Sequence, residues 1–331
     1  MNWRTVSVGL ILTAFSIVAN GQQYTMKLAS ATINDIQHEW QKQFKAGVDA
    51  RSRGRIKVEI YPASQLGAIP RMVEGVALGT IESFITPPGF LVGVEPRFEI
   101  FDAGGGFDDA KHAKRVFADE TVRRRIFAFG NERGIQPIAI MAHSPNALLS
   151  RKPVRSMADL NGLKIRTFST PMQIEPLKKL GASPVPLPLT EVMPALQNGA
   201  IDGLLAASTV YTAFKYYDAA KALTYLPAWD VITTVIVNKN WLASLPADLV
   251  RIVMEEAQKA EGIAADWGMA DVERSKKIWT DNGGENISFS AAEQKKFLSV
   301  LADVNVPLLN AKPRLKTEYE TLLAAAKKLR R

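Results

Sequence analysis

Hydrophobic positions in the early part of the chain follow two periods in turn. Tyr24, Met26 and Leu28 recur every second residue, as on one face of a strand. Ile36, Trp40, Phe44 and Val48 then recur every fourth, the stripe of an amphipathic helix, with Asn34 or Asp35 placed to cap it. Ile56, Val58 and Ile60 return to period two between Lys57 and Glu59. A short helix through Met72, Val73, Val76 and Ala77 follows, then a strand over 81–86 that Pro87-Pro88 stops. An irregular stretch over 89–107 ends in Gly104-Gly105-Gly106. Beyond it the pattern predicts a helix over 111–129 and a strand over 137–142.

The second half repeats the theme. A strand over 163–168 follows a turn at 159–162, and a helix over 172–180 is closed by Gly181. Thr190 is placed to cap a helix over 191–198, and strands are expected over 201–206 and 231–237. This alternation predicts open, mostly parallel α/β sheets, two of them. From Pro246 to about Asn282 there is no proline and little glycine. Leu249, Ile252, Val253, Ala257, Ala260, Ala264, Trp267 and Ile278 keep a helical stripe there. At about 1.5 Å per residue such a helix spans more than one small domain, and Gly262 and Gly268 interrupt any heptad. Ser290 and Glu293 form a capping-box pattern, and a basic helix over 315–331 closes the chain.

Composition narrows the function classes. The 331 residues carry 41 Lys+Arg against 33 Asp+Glu, a formal charge of +8, with 47% hydrophobic and 22% charged residues, an ordinary globular balance. The absence of cysteine excludes disulfides, thiolate metal sites and cysteine nucleophiles. Residues 6–19 form an apolar run after Arg4, followed by Ala19-Asn20-Gly21. That is the pattern of a secretory signal peptide over 1–21, and the run is shorter than the ~20 residues that span a bilayer. The basic residues are dispersed rather than striped with aromatics, which argues against a nucleic-acid partner.

Motifs for catalysis are sparse. His38, His112 and His143 are far apart, none lies in a His-Glu-x-x-His motif, and there is no Gly-x-Ser-x-Gly. The Gly104–Gly106 triplet leads into Phe107-Asp108-Asp109, so it is no phosphate loop, and Asp108-Asp109 reads as a helix N-terminus. No catalytic, metal or cofactor site is assigned. Arg166 ends Leu163-Lys164-Ile165-Arg166, at the C-terminal end of a predicted parallel strand, where α/β sheets place their ligand crevice. A guanidinium there can clamp a carboxylate bidentately.

Three stretches resemble the DctP-type substrate-binding proteins of TRAP transporters. They are residues 56–67 with Val76–Ile81, residues 156–166, and residues 180–192 with Ala195–Gly203. The resemblance covers nearly the whole chain after the leader. It implies an α/β, two-lobed periplasmic binding protein fold with mixed sheets, hinge strands and one long helix bridging both lobes. Lobe 1 is expected over 22–143 plus 232–270, and lobe 2 over 144–231 plus 271–331, with hinges near 142–144 and 229–232. It implies a monomeric periplasmic receptor that closes on an organic acid and delivers it to a permease of one small and one large membrane subunit. The arginine that ends Gly-Leu-Lys-Ile-Arg in the family binds the ligand carboxylate, a role that falls on Arg166.

Departures from the family pattern shape the expected pocket. A second arginine found in many organic-acid members falls on Asn146, and an asparagine that touches ligand falls on Ala206. With Leu189, Phe168 and Trp229 as apolar walls, the expected ligand is a monocarboxylate with an apolar or aromatic body. A C4-dicarboxylate receptor stays open, were Lys27 or Arg97 to reach the cleft. So do a sensor for a membrane kinase, and a periplasmic enzyme pairing His143 with Ser144 or Asp230.

Overall fold

The computed structural model describes residues 23–330; the expected signal peptide lies outside them. The first half runs β1 (Tyr24–Ser30), α1 (Ile36–Ser52), β2 (Ile56–Tyr61), α2 (Ile69–Leu78) and β3 (Ser83–Thr86). Two 3-10 turns, Pro88–Leu91 and Pro96–Asp102, lead into α3 (Ala110–Ala118), α4 (Glu120–Ile126) and the long β4 (Ile135–Ser150). Then come β5 (Lys164–Thr167), α5 (Pro171–Lys179), β6 (Ser183–Pro186), α6 (Leu189–Gln197), β7 (Gly203–Ala207), α7 (Ser208–Ala213) and a second long strand, β8 (Ala222–Asn238). The chain ends with α8 (Lys239–Ser244), α9 (Ala247–Asp281), β9 (Glu285–Ser288), α10 (Ala291–Asn310) and α11 (Pro313–Lys328). No helix among the described residues is long and apolar enough to cross a membrane.

The expected pair of sheets is one mixed, nine-stranded ladder of order β2-β1-β3-β8-β4-β7-β5-β6, with β9 beside β8. Its ends are parallel, as βαβ units require. Its middle is the antiparallel pair β4 and β8, which runs through both lobes and joins them. Sequence periodicity gave only pieces of these two strands, because their pairing slips between Ala142 and Ser144 and again between Pro145 and Ala147. A bulge inserts an extra residue and breaks the period of two. These slips fall at the expected hinge and leave His143 and Asn146 without partners on β8.

The 35-residue α9 bridges the two halves. Its first part, from Leu249 to Ala264, packs with Trp40, Phe44 and Val48 of α1. A Cβ on Gly268 would come 2.7 Å from Ile36, so glycine there admits the close approach of α1. Its last turns bury Trp279 against Tyr211 and Leu223 in the other lobe. The stripe therefore changes lobe, and Ile278, expected on it, is 41% exposed.

Three other expectations shift. The helix expected over 111–129 is two helices, because the Asp119 carboxylate accepts from the backbone of Thr121 and Val122 and starts a new one. Thr190 does not cap α6, which starts one residue earlier, after Pro188. Glu293 does not complete a capping box, because its carboxylate accepts from the backbone N–H of Met157, while Ser290 still caps α10. The partition expected above would place α11 with lobe 2. Its Leu315, Leu322 and Ala326 lie in one apolar cluster with Phe101, Phe107 and Phe117 of the first half and Met172 of the second.

Candidate functional site

Strand β5 lies between β6 and β7, with Arg166 opposite Val185 and Leu204. That position draws the whole guanidinium out of water: Arg166 is 1% exposed. Its Nε donates to the Leu187 carbonyl at 2.9 Å and its Nη1 to the Leu205 carbonyl at 3.1 Å. These bonds hold the fork rigid and leave Nη2. Burial pushes the guanidinium down to about 10, partly offset by Tyr211 and Tyr216, so it stays cationic at neutral pH. No carboxylate compensates it among the described residues. Neither tyrosine supplies a charge, because burial pushes both hydroxyls up, Tyr216 to about 12. A buried, uncompensated charge is costly in a folded chain.

Arg166 lines a narrow cleft with about 30 Å³ of free space, together with Phe168, Leu189 and Ala206. The first lobe supplies Ile69 and Phe90 on the other side, and the Phe90 and Phe168 rings meet with centroids 4.4 Å apart. Phe168 also lies under the guanidinium, 5.3 Å from ring centre to Cζ.

Of the six residues expected at the site, four come together here. Asn146 and Trp229 are not among the cleft's lining. Asn146 pairs with Ala207 on β7, and both its side-chain polar atoms are buried without a partner. Trp229 is buried against Phe297, with centroids 5.9 Å apart, in the cluster of Leu226 and Leu301. The bulge in β8, which carries Ala228 at φ +49°, puts it there. Lys27 donates to the Thr80 carbonyl and Arg97 pairs with Glu95, so neither cation serves the cleft.

Sequence reasoning missed the polar side of this cleft. Asp35, at the N-cap of α1, uses Oδ1 to accept from the backbone of Gln37 and His38. Its Oδ2 lies 3.2 Å from Nε2 of His143, both side chains being buried. Burial alone would raise the Asp35 carboxyl, but the contact with His143 and the helix-cap bonds hold it below the usual range. Gln37 stands with Nε2 3.5 Å from Nδ1 of His143. His143 therefore faces Asp35 and Gln37, not Ser144 or Asp230. The only available signal was the capping position, since 106 residues separate Gln37 from His143.

Beside the aromatic pair, Asp102 accepts from Thr170 Oγ1 at 2.8 Å and from Gln173 Nε2 at 3.4 Å. Gln173 in turn accepts from the backbone N–H of Phe168. A Cβ on Gly89 would lie 2.2 Å from Asp102, so that glycine makes room for the carboxyl. Burial pushes Asp102 up to about 7, with donors Thr170 and Gln173 pulling down and Glu99 pushing further up. Two hollows elsewhere differ from the cleft. One, lined by Lys114 and Arg123, holds an arginine already paired with Glu261 at 2.6 Å, and the other, beside Asp230 and Tyr225, contains no arginine.

The family model described as bacterial extracellular solute-binding protein, family 7 (DctP), matches residues 29–305. The 2,3-diketo-L-gulonate-binding periplasmic protein YiaO of Escherichia coli K12 is 29% identical over 264 residues, 78% of this chain and 80% of that one. A TRAP periplasmic solute-binding protein from Desulfovibrio salexigens, solved with bound orotic acid, superposes with a TM-score of 0.88 at 22% identity, over 93% of this chain and 100% of that one. The sugar acid binding protein DctPAm of Advenella mimigardefordensis, solved with galactonate, gives 0.88 at 20% identity, over 94% and 100%. At these identities the superpositions speak for the fold.

Proposed function

The chain belongs to the DctP family of bacterial extracellular solute-binding proteins, and on that premise we propose that it is a periplasmic receptor for a small organic monocarboxylate with an apolar or aromatic body, bound through Arg166 and delivered to a TRAP-type permease of small and large membrane subunits. The observation that carries this is the fully buried guanidinium of Arg166, without a counter-ion, on the wall of the cleft. A ligand carboxylate supplies the missing charge. The relatives named above bind diketogulonate, orotic acid and galactonate, all carboxylic acids, which supports the same chemistry.

The rest of the lining supports one charge rather than two. Phe90, Phe168, Leu189, Ile69 and Val231 are apolar, and Ala206 offers no side-chain hydrogen bond. A second carboxylate would lose its hydration with no cation to meet it. One charge-assisted clamp contributes about 1.5–3 kcal/mol, whereas micromolar affinity needs about 8 kcal/mol. Apolar burial between the two phenylalanines must therefore provide much of the remainder. Asn146, with its unpaired polar atoms, is proposed to assist beside the cleft and Trp229 to brace its wall from behind; the lobe boundaries at 143/144 and 231/232 are proposed on the same footing.

The test is thermal stability of the ligand-stripped protein against phenylacetate, 3-methylbutanoate, 2-oxo acids, succinate and sialic acid, with Arg166→Ala beside the wild type. A ligand at a hundred times its Kd adds about 2.7 kcal/mol, enough to raise the Tm by several degrees. A shift with monocarboxylates that vanishes in Arg166→Ala is expected. A shift with succinate alone would overturn the single-charge pocket, and no shift with any acid would overturn the role of Arg166.

A further inference from the structure

We infer that Gln37 selects ligands carrying a hydrogen-bond donor besides the carboxylate, and that Asp35 and His143 are positioning residues which fix its amide for that task. The inference rests on the carboxylate receptor reading above and specifies the second polar contact of that cleft.

The argument follows one chain of donors and acceptors. The bulge between Ala142 and Ser144 takes His143 out of the ladder and turns its side chain into the cleft lining. There its Nε2 meets Oδ2 of Asp35 at 3.2 Å. An ionised carboxylate only accepts, so this contact calls for a proton on Nε2. The other ring nitrogen, Nδ1, faces away from that carboxylate toward α1. The group that faces Nδ1 is the Gln37 amide, whose Nε2 end lies 3.5 Å away. That placement fixes the other end of the amide. Gln37 Oε1 is buried, without a partner, on a residue that lines the cleft.

A buried carbonyl oxygen without a donor is costly, and a site holding one discriminates against ligands that leave it unpaired. The first helical turn of α1 cannot rotate to relieve it, because Asp35 Oδ1 holds the backbone N–H of Gln37 and His38. The two sides of the cleft thus ask for different groups. The Arg166 side asks for an anion, and the α1 side for a hydroxyl or N–H.

Two matched sets of probes test this by calorimetry on the ligand-stripped protein. One is phenylacetate, mandelate, 4-hydroxyphenylacetate and phenylglyoxylate. The other is 3-methylbutanoate with its 2-hydroxy and 2-oxo forms. At least one hydroxylated member is expected to bind about tenfold or more tighter than its parent, with the oxo form gaining nothing. Gln37→Met should abolish that preference, read as the ratio of hydroxylated to parent affinity. His143→Asn should shrink the same ratio although it leaves Gln37 in place, a change that a merely structural histidine would not produce. Equal affinities for hydroxylated and parent acids, preference for the oxo form, or a ratio that persists in Gln37→Met would each overturn the assignment. Absence of any Arg166-dependent binding overturns the receptor reading itself and this inference with it, and it is told apart by the missing response of the parent acids.

Discussion

The two walls of the cleft treat charge in opposite ways. On the β5 wall a guanidinium is buried with backbone carbonyls for company and no acid. On the α1 wall Asp35 and His143 are buried together, with a carboxylate oxygen 3.2 Å from an imidazole nitrogen. The first arrangement is unfavourable until something anionic arrives. The second sets its acid against a histidine inside the protein, and Gln37 and His143 line the cleft. A receptor must be folded before its ligand comes yet gain from the ligand when it does. Leaving one wall's charge unmatched, while closing the other's internally, meets both demands.

Breaking each wall should therefore give opposite results, and this is the largest effect expected. Arg166→Met keeps most of the side-chain volume and removes the charge. Affinity for a monocarboxylate should fall by about a hundredfold by calorimetry, while the Tm of the unliganded protein holds or rises, because an uncompensated charge has left the interior. Asp35→Ala should do the reverse to stability. It removes the cap of α1 and the partner of His143, and unliganded stability should drop by about 2 kcal/mol in urea titration. An Arg166→Met protein that melts earlier than wild type would show that the guanidinium is stabilised in some other way.

The seam between the walls adds a dependence on pH. Asp102 sits in the closed structure with its carboxyl pushed up to about 7 by burial, between Thr170 and Gln173 of the second half. When the lobes part and water reaches it, it returns toward the ordinary carboxylate value. A group whose pKa is raised on closing favours the closed form at low pH. That contribution is full below about pH 4, falls as pH rises toward 7, and is constant above. Ligand affinity should then weaken by about tenfold between pH 5.5 and 7.5 and level off beyond. Asp102→Asn mimics the neutral form at every pH and should bind at pH 7.5 as tightly as the wild type does below about pH 4. A steep dependence that survives in Asp102→Asn would assign the titration to another group.

The aromatic pair across the seam comes next. Phe90→Ala removes the ring that meets Phe168 at 4.4 Å. Affinity for an aromatic carboxylate should fall about fivefold, and for an aliphatic acid less, since an aromatic contact contributes about 0.5–1.5 kcal/mol beyond its area. Equal losses for both ligands would mean that Phe90 acts by closing the cleft rather than by touching the ligand.

Much of this fold was legible in the sequence, and the site only in part. Stripes such as Ile36-Trp40-Phe44-Val48 and Leu249–Ala264 report burial directly, so the helices and the bridge between lobes followed from period alone. The strands β4 and β8 did not, because their bulges reset the alternation at the hinge. The same bulges hid His143, which a regular strand would not have turned toward α1. Arg166, Phe168, Leu189 and Ala206 were reachable through strand ends and family motifs. That Arg166 lacks a counter-ion was not, since pairing depends on residues far along the chain. Gln37 shows the limit most clearly. It reads as one polar residue in the first turn of a helix, and its meaning comes from a histidine 106 residues away.

Trp229 supplies the smallest expected effect on binding and separates wall from support. The sequence places it beside Pro227 near the hinge, as an aromatic suited to a ligand. The structure seats it at 2% exposure against Phe297 and Leu301, with the backbone of Gly104 close over the indole. A Cβ on Gly104 would come 3.2 Å from the indole ring, so the contact is tight on that side too. Trp229→Phe therefore leaves a gap that these neighbours cannot fill without moving. Unfolding stability should fall by about 1–3 kcal/mol, while the Kd for a monocarboxylate changes by less than about twofold. The pairing of a large stability loss with unchanged affinity is the mirror image of Arg166→Met. If Trp229→Phe instead weakened binding tenfold at unchanged stability, the indole would have to reach the ligand through a rearrangement of the 226–229 bulge, and the cleft would extend past Asn146 to the far face of the sheet.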